Sequence, residues 1–320
     1  MTPKPSVCRE LEDDLVATAV GEAGAGVARR IEEHVRVCAP CRFELGRYQE
    51  IDALTGGLRT ALTDDDPAPA RATLETRLAD LRRRSVVYRV FPSPLGSILI
   101  ARSEEGVALV QYVADEADAA TRLQRMPDLE VIEDGAELEP LHQQLLEYLG
   151  GQRTRLGWPL DFRLARSGFS RDVLHATAAL PDGGVTSYGR IARDIGKPSA
   201  VRAVAQALRW NPLAIVVPCH RVIGSSGSLT GYAGSRVSLK QRLLTLEGVP
   251  TVAAQRDVRI ARETMYALGA GESEYCLPTC GSISSTPLAR LTLFGARARA
   301  EAAGFAPCMT CRPDLHPLPA

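Results

Sequence analysis

The distribution of cysteine is the feature that most constrains the fold of this 320-residue chain. Eight cysteines form three groups that are local in the sequence: Cys8, Cys38 and Cys41; Cys219 alone; and Cys276, Cys280, Cys308 and Cys311. Close spacings of the CxxC type, in a chain with no secretory signal, are typical of reduced thiols that hold a metal and not of a disulfide framework. The pattern predicts a cytoplasmic protein with metal modules near both ends and a free thiol between them.

Proline, glycine and charge divide the chain further. Residues 6 to 62 favour helix, an acidic proline-bearing stretch follows at 63–70, short branched segments at 86–113 predict an antiparallel meander, and helical segments fill most of 138–247. We expect an α+β, multidomain fold: a small antiparallel-sheet subdomain and a helical subdomain with a helix-turn-helix, flanked by two small zinc modules. The predicted divisions are 1–62 (helical zinc domain), 63–85 (linker and helix), 86–165 (sheet subdomain), 166–252 (helix-turn-helix subdomain), 253–272 (linker, with a helix near 258–268) and 273–320 (four-cysteine zinc domain).

The charge of the chain is balanced overall but not locally. The formal net charge is zero, yet residues 104–161 carry 13 acidic and 4 basic side chains, whereas residues 186–250 carry 9 basic and 2 acidic ones. The basic half could face a polyanion, or the charges could simply form solvated faces. No uncharged stretch is long enough to cross a bilayer, so we expect no membrane partner.

The pentapeptide 218–222 (PCHRV) sets one thiol beside one imidazole. It follows the apolar run 213–217, which predicts a buried strand, and it precedes the glycine-punctuated stretch 223–234. A cysteine at the end of such a strand can act as a nucleophile. The competing interpretation is a buried structural cysteine next to a histidine whose polar atoms are simply satisfied.

Upstream of this thiol, two short helices are predicted at 187–195 and 199–210, separated by Gly-Lys-Pro. This is the pattern of a helix-turn-helix whose second helix begins with small residues. Small side chains let a helix approach a nucleic-acid groove, but they also let it pack closely on another helix.

The ordered set of motifs across this region resembles the O6-alkylguanine-DNA alkyltransferases. The set consists of Ser187-Tyr188-Gly189, Arg202-Ala203-Val204, Asn211-Pro212, Pro218-Cys219-His220-Arg221-Val222, Gly231-Tyr232-Ala233-Gly234, Lys240 and Leu246-Glu247-Gly248. With Ser93-Pro94-Leu95-Gly96 in the preceding strands, the resemblance covers roughly residues 86–252. It implies a protein that repairs DNA by transferring an alkyl group from guanine O6, with O4-alkylthymine as a second possible substrate, to its own cysteine, once and irreversibly.

The resemblance also implies a role for each matching residue. Cys219 would accept the alkyl group, and His220 would take the thiol proton through water because a free cysteine is mostly protonated at neutral pH. Glu247 would orient His220, Tyr188 would support the departing guanine, and Asn211 would brace the turn beneath the cysteine. Ordinary surface, packing and capping roles remain the alternatives for the last three.

The same resemblance implies contacts with DNA and with the flipped base. Arg202 would enter the duplex where the base was, a plain phosphate contact being its alternative. The predicted DNA-binding residues are Arg202, Ser199, Ala200, Ala203, Arg209 and Arg221. The predicted pocket residues are Tyr232, Ala233, Pro218 and Val222. The partner would be double-stranded DNA carrying O6-alkylguanine, bound by a monomer.

The four C-terminal cysteines could close a tetrahedral zinc site. Tyr275-Cys276-Leu277-Pro278-Thr279-Cys280 and the residues around Cys308 and Cys311 resemble the metal-binding domain of the adaptive-response regulator Ada, in which the first cysteine accepts a methyl group from DNA phosphotriesters. The resemblance makes Cys276 a second acceptor, but uncharged residues replace the usual basic ones, so a purely structural zinc site is the alternative.

The N-terminal spacing His34-x3-Cys38-x2-Cys41, completed by Cys8, resembles the zinc-binding anti-sigma domain. Such a domain could sequester a sigma factor, sense thiol oxidation or dock against the rest of the chain. We therefore expect one or two structural zinc ions, no organic cofactor, and an alkyltransferase coupled to transcriptional regulation. The alternative is a regulatory protein that binds alkylated DNA or a sigma factor without transferring anything.

Overall fold

The fold is that of a computed structural model, which describes residues 8, 11–59, 68–124, 130–232, 236–254 and 257–319. The chain forms two compact units, Met1–Leu81 and Arg82–Ala320. In chain order the helices and strands are α1 (Glu12–Ala19), α2 (Ala25–Val37), α3 (Ala39–Arg59), α4 (Ala68–Arg84), β1 (Ser85–Phe91), β2 (Ile98–Arg102), β3 (Val107–Tyr112), α5 (Glu116–Gln124), β4 (Glu130–Glu133), α6 (Gly135–Leu149), α7 (Gly168–Ala178), β5 (Gly184–Ser187), α8 (Tyr188–Asp194), α9 (Val201–Arg209), β6 (Val222–Ile223), α10 (Val237–Leu246), β7 (Thr251–Ala254), β8 (Asp257–Ile260), β9 (Tyr266–Gly269), β10 (Glu274–Cys276), β11 (Leu291–Phe294), α11 (Arg297–Ala302) and β12 (Ala306–Pro307).

The first unit is helical, as its sequence predicts. Its small core consists of Leu15 from α1 and Ile31 from α2, both completely buried, together with Cys8 and Cys41. Because two of these four core residues are candidate metal ligands, the metal site and the core of this unit are the same place.

The second unit begins with the predicted meander. Strands β1, β2 and β3 pair antiparallel, and β4 joins the edge parallel to β1. Side chains alternate along β2: Ile98 and Ile100 enter the core that contains α6 and α7, whereas Leu99 and Ala101 pack on the other face against α5. The meander was predicted from short segments rich in branched residues with turn residues between them. Strand β4 was not predicted, because only two of its four residues are apolar and both are exposed.

The helical part follows the sheet and confirms the expected α+β class. Helices α7, α8, α9 and α10 begin and end within a few residues of the predicted segments. Ser167 and Ser187 cap α7 and α8 by accepting hydrogen bonds from the backbone N–H groups of Ser170 and Arg190. The prediction placed the helix ends by nearby Pro and Gly, and the serine caps are a further local signal at the same boundaries.

The C-terminal part differs from the prediction. Residues 253–272, expected to be a linker with a helix, contain strands β8 and β9 and the end of β7. Strand β9 belongs to a six-stranded sheet in the order β12-β10-β9-β11-β5-β6, which joins the C-terminal segment to strands of the helical part. The helix prediction was wrong because these strands are four residues long and lack a periodic pattern of their own.

A search of the described residues finds no helix long and apolar enough to span a membrane.

Candidate active site and metal centres

A buried turn, and not the predicted strand, carries the central thiol. Ile215 adopts a positive φ of 72°, and a short 3-10 helix spans Cys219–Arg221 before β6. The side-chain amide of Asn211 donates to the carbonyl oxygens of Leu213 (3.3 Å) and Val217 (3.0 Å) and to the Sγ of Cys219 (3.2 Å). Asn211 therefore satisfies carbonyl groups that a strand partner would otherwise bind, and it touches the sulfur itself.

His220 and Glu247 form a buried pair beside the thiol. The Nε2 of His220 lies 2.9 Å from Oε1 of Glu247, and both side chains are almost completely buried. Because a carboxylate only accepts, Nε2 must carry the proton and Nδ1 is the unprotonated nitrogen. Among the described residues Nδ1 has no hydrogen-bond partner. The unprotonated Nδ1 of His220 is thus available as a base in the protein interior.

Two residues outside the predicted catalytic set complete the surroundings of Glu247. Arg221 donates from Nε to Oε2 and from Nη2 to Oε1, both at 2.8 Å, and the hydroxyl of Tyr148 donates to Oε1. Arg221 was predicted to bind DNA, but its side chain is only 5% exposed, so it is occupied by the carboxylate and withdrawn from the surface. Tyr148 comes from α6, and no local sequence signal links it to Glu247.

Burial sets the resting protonation of this group. It raises the pKa of the Cys219 thiol, against which the Asn211 amide and the charge of Lys240 act, and it lowers the pKa of His220, which Glu247 opposes. Burial would also raise the pKa of Glu247, but His220 and Arg221 outweigh it and hold that pKa far below its ordinary range. The resting site therefore contains a neutral thiol, a neutral imidazole and an ionised carboxylate.

Lys240 is a further residue of the site whose role the sequence did not reveal. It is completely buried in α10, and its Nζ donates to the carbonyl oxygens of Val222 (2.6 Å) and Thr230 (3.1 Å). Burial lowers its pKa to about 8, and the charge of Cys219 acts in the opposite direction. A buried cation of this kind is costly unless an anion forms nearby, and a Cys219 thiolate would be that anion.

The thiol lines a cavity of about 290 Å³, near the lower end of the range for ligand pockets. Its walls are Tyr188, Ala205, Leu208, Arg209, Cys219, Thr230, Gly231 and Tyr232. The Tyr188 hydroxyl donates to the Thr230 carbonyl at 3.2 Å, and the hydroxyls of Tyr232 and Tyr112 lie 3.1 Å apart.

Of the four predicted pocket residues, Tyr232 lines this cavity and two others do not. Val222 is completely buried in β6, and Pro218 lines a separate cavity of about 250 Å³ beside Tyr148 and Arg221. Ala233 lies outside the described residues. A pentapeptide cannot tell which of its side chains face a cavity, because that depends on what packs behind the turn.

The second helix of the predicted helix-turn-helix has two different faces. Val204, Ala207 and Leu208 of α9 are buried against the core. Five of the six predicted DNA-binding residues lie on the accessible side of this helix or just before it, Arg221 being the exception: Ser199, Arg202, Ala203 and Arg209 are exposed and Ala200 is half-buried. Since Ser199 and Ala203 are exposed, their small size leaves this face free to approach a groove.

The C-terminal cysteines meet in one cluster. The sulfur atoms of Cys276, Cys280, Cys308 and Cys311 all lie within 4.8 Å of one another, and the first three are buried. A tetrahedral zinc–thiolate site requires sulfur separations of about 3.8 Å, so this donor set fits zinc with little movement. The backbone N–H of Leu277 donates to Cys311 and the Ser282 hydroxyl lies 3.1 Å from the Cys280 sulfur, as expected around thiolate ligands.

The N-terminal ligands also meet. Cys8, His34, Cys38 and Cys41 place one ligand atom each within 4.8 Å of the others, and the sulfur of Cys8 lies 3.8 Å from both His34 Nε2 and the Cys38 sulfur. The structure thus brings together all eight predicted metal ligands, in the two groups in which they were predicted.

Three family models match the chain. They are the 6-O-methylguanine DNA methyltransferase ribonuclease-like domain at residues 86–162, the DNA-binding domain of the same proteins at 168–249, and the metal-binding domain of Ada at 252–314. The third match begins at residue 252 and includes the segment that was expected to be a linker.

Two curated relatives are similar to the alkyltransferase part of the chain. The chain is 40% identical over 163 residues to the methylated-DNA–protein-cysteine methyltransferase of Methanosarcina acetivorans, covering 50% of this chain and 97% of that protein. It is 38% identical over 167 residues to the bifunctional transcriptional activator/DNA repair enzyme Ada of Escherichia coli, covering 51% of this chain and 46% of Ada. It also aligns with a crystal structure of Mycobacterium tuberculosis OGT in complex with DNA at 36% identity and a TM-score of 0.43, covering 50% of this chain and 92% of that one. The chain belongs to the methylated-DNA–protein-cysteine methyltransferase family and carries, after its alkyltransferase domains, a metal-binding domain of the Ada type.

Proposed function

We propose that this protein repairs O6-alkylguanine in double-stranded DNA by transferring the alkyl group to the Sγ of Cys219, a reaction that consumes the protein. The observation that carries the proposal is the position of Cys219, which lines the 290 Å³ cavity and is bonded to Asn211 next to the buried pair of His220 and Glu247. A structural cysteine would need neither a cavity nor an imidazole with a free nitrogen.

The thiol proton leaves first. Nδ1 of His220 takes it, through a water molecule as in the family, while the ionised Glu247 stabilises the imidazolium through Nε2. The positive charge of Lys240 favours the thiolate because Cys219 and Lys240 perturb each other across the site. The burial that keeps the thiol neutral at rest protects it from other electrophiles until a base enters the cavity.

The thiolate then displaces guanine at the alkyl carbon. The S–C bond forms as the C–O6 bond breaks, the bonding electrons pass to guanine, and the proton taken up by His220 is finally returned to the guanine. The Tyr188 hydroxyl, which borders the cavity, would release the Thr230 carbonyl and donate its one proton to the base as the charge of the base develops. No group in this scheme removes the alkyl group from sulfur, so each molecule acts once.

The DNA would lie on the accessible face of α9. Ala203 and Arg209 line this face, Ser199 lies just before the helix, and Arg202 would fill the duplex at the place of the flipped guanine. We propose that the protein binds as a monomer in the cytoplasm, which suits a DNA substrate and cysteine spacings typical of reduced, metal-binding thiols. The domain divisions proposed are 86–165 and 166–252 for the two alkyltransferase parts.

We further propose one zinc ion at each cysteine cluster. Bound zinc would hold its ligands as thiolates and stabilise segments with small cores. Cys276 would be available as a second acceptor for a methyl group from a phosphotriester; the uncharged neighbours Leu277 and Met309 favour the structural alternative.

A protein partner for the N-terminal unit is supported by its exposed apolar side chains. Val37, Phe43 and Leu54 are 87%, 69% and 62% exposed. Together with the resemblance of the metal ligands to an anti-sigma domain, they make a sigma factor the proposed partner. The full-length protein, labelled in its N-terminal unit, should bind the sigma factor, and the double variant Phe43→Ser with Leu54→Ser should lose this binding.

The test of the main proposal is intact-protein mass spectrometry with peptide mapping after incubation with a duplex that carries one O6-methylguanine. One methyl group should map to the peptide of Cys219, and the Cys219→Ser variant should bind the duplex but gain no mass. The peptides of Cys276 and Cys308 serve as internal controls, because the duplex contains no phosphotriester.

If reduced, zinc-loaded protein binds the duplex without gaining mass, the enzyme proposal fails and a regulatory protein that binds alkylated DNA becomes the better account. If the methyl group maps to another cysteine, the assignment of Cys219 is wrong.

A further inference from the structure

The metal-binding domain and the alkyltransferase share one core. Val185 and Ile223 from strands β5 and β6 pack in the same cluster as Cys276 and Cys308, two of the proposed zinc ligands. Strand β11 of the metal-binding domain pairs antiparallel with β5, and β5 pairs with β6, the strand that directly follows Arg221. The domains that match the two families therefore form one folding unit in this chain, and the C-terminal domain packs behind the candidate active site.

The tightest point of this junction is Gly295, which follows β11. A Cβ atom built there would overlap the carbonyl oxygen of Gly248 and lie 2.9 Å from its carbonyl carbon and 3.1 Å from the Cδ of Pro250. Gly295 does not have a positive φ, so its backbone would accept alanine; only the contact excludes a side chain. The opposing atoms belong to backbone and to a proline ring, neither of which can rotate away.

Gly248 is the residue after Glu247 and closes α10. Its φ is 76°, its N–H donates to the carbonyl of Thr245 at 3.0 Å, and the N–H of Val249 donates to the carbonyl of Leu244 at 2.9 Å. This is a tight glycine C-cap, in which the backbone has few alternative conformations. Displacement of the Gly248 carbonyl would therefore also displace the neighbouring residue, Glu247.

We infer that Gly295 is a positioning residue for alkyl transfer, which holds the helix end that places Glu247 against His220. The inference rests on the proposed function of Cys219, His220 and Glu247. It means that the Ada-type domain helps to position the alkyltransferase site in this chain, independently of any chemistry of its own cysteines.

Two other contacts across the junction brace the same site. The hydroxyl of Thr186 donates to the carbonyl of Leu291 at 2.9 Å, and Thr186 pairs with Val222 at the end of the pentapeptide. A Cβ on Gly189, next to Tyr188, would lie 3.2 Å from the Cβ of Ala289. Both edges of the site, at Val222 and at Tyr188, are thus in contact with the metal-binding domain.

The test is the Gly295→Ala variant in the full, zinc-loaded chain. Single-turnover methyl transfer from a duplex with O6-methylguanine should be at least tenfold slower at about pH 7, because displacements of about 1 Å in a catalytic group cost up to about 100-fold. The matched control is Gly168→Ala at the start of α7, where no atom lies within 4 Å of the added Cβ. It should transfer within twofold of the wild type.

Two further readouts separate positioning from a general loss of structure. Glu247 raises the pKa of His220; weakening their contact lowers it, so His220 becomes the unprotonated base at lower pH, and in Gly295→Ala the rise of transfer rate with pH should move to lower pH while the maximal rate falls. The NMR signal of the His220 Nε2 proton, in protein labelled at its five histidines, should shift from its wild-type position. This second readout does not need activity, so it distinguishes failure of this inference from failure of the proposed function.

A folded Gly295→Ala protein with wild-type rate, pH profile and His220 signal would overturn the inference. Should Gly295→Ala not fold, Thr186→Val removes the hydroxyl bonded to Leu291 while keeping the shape of the side chain. It should slow transfer about threefold with the same direction of pH shift, and an unchanged rate and profile would again overturn the inference.

Discussion

The substitution Glu247→Gln tests the buried ion pair at the centre of the site. It keeps the size of the side chain but removes the charge that faces Arg221, leaving a guanidinium that is 5% exposed with only the Asp182 carboxylate, 3.5 Å from Nη1, as an anion. Removing one partner of a buried ion pair destabilises proteins by about 3–5 kcal/mol. Since the glutamine oxygen can still accept one of the hydrogen bonds from Arg221, His220 and Tyr148, we expect about 3 kcal/mol.

Urea unfolding followed by tryptophan fluorescence measures this loss. The two tryptophans, Trp158 and Trp210, both belong to the second unit, so the signal reports on the part of the chain that contains Glu247. The double variant Glu247→Gln with Arg221→Met should cost at least about 1 kcal/mol less than the sum of the single variants, because it leaves no unpaired buried charge.

The pH dependence of stability tests the sign of the Glu247 contribution. The folded state holds the pKa of Glu247 far below its ordinary range, so its stabilisation is present above the unfolded pKa of about 4.3 and is lost as the pH falls below it. The difference in stability between the wild type and Glu247→Gln should therefore shrink below about pH 4. A cost under about 1 kcal/mol at pH 7, or additive single variants, would refute the reasoning.

Three more predictions follow from the site and the metal centres. In Lys240→Met, transfer at pH 7 should slow because the thiolate loses a buried cation. Because burial lowers the Lys240 pKa to about 8, the wild type should also gain stability relative to the variant as the pH rises from 8 to about 10. Parallel urea titrations that lack this trend would contradict the assignment. Tyr188→Phe should slow single-turnover transfer by about 10- to 100-fold while duplex affinity stays within twofold, whereas an equal loss of affinity would indicate a role in binding. Native mass spectrometry should find two zinc ions in the wild type and one in either Cys38→Ser or Cys308→Ser, and retention of two ions would exclude the altered residue as a required ligand.

The sequence alone determined the chemistry-bearing residues that local pattern can identify. The thiol beside an imidazole at 218–222, the spacing of both cysteine clusters and the glycine after Glu247 are short-range features, and each retains its meaning whatever surrounds it. The α+β class was also predictable, because the short branched segments at 86–113 and the helical segments after residue 138 are local features of the sequence.

Side chains that are far apart in the sequence meet only through the tertiary structure. Tyr148 reaches Glu247 from 99 residues away, Arg221 turns to the interior while Cys219 lines a cavity, and Lys240 is buried in the helix behind the site. The short strands of the C-terminal domain carry no periodic signal, and their order was set by pairing with β5 of the alkyltransferase. The physical reason is the same in each case: burial and strand pairing depend on contacts between distant segments, which the spacing of residues within one segment does not encode.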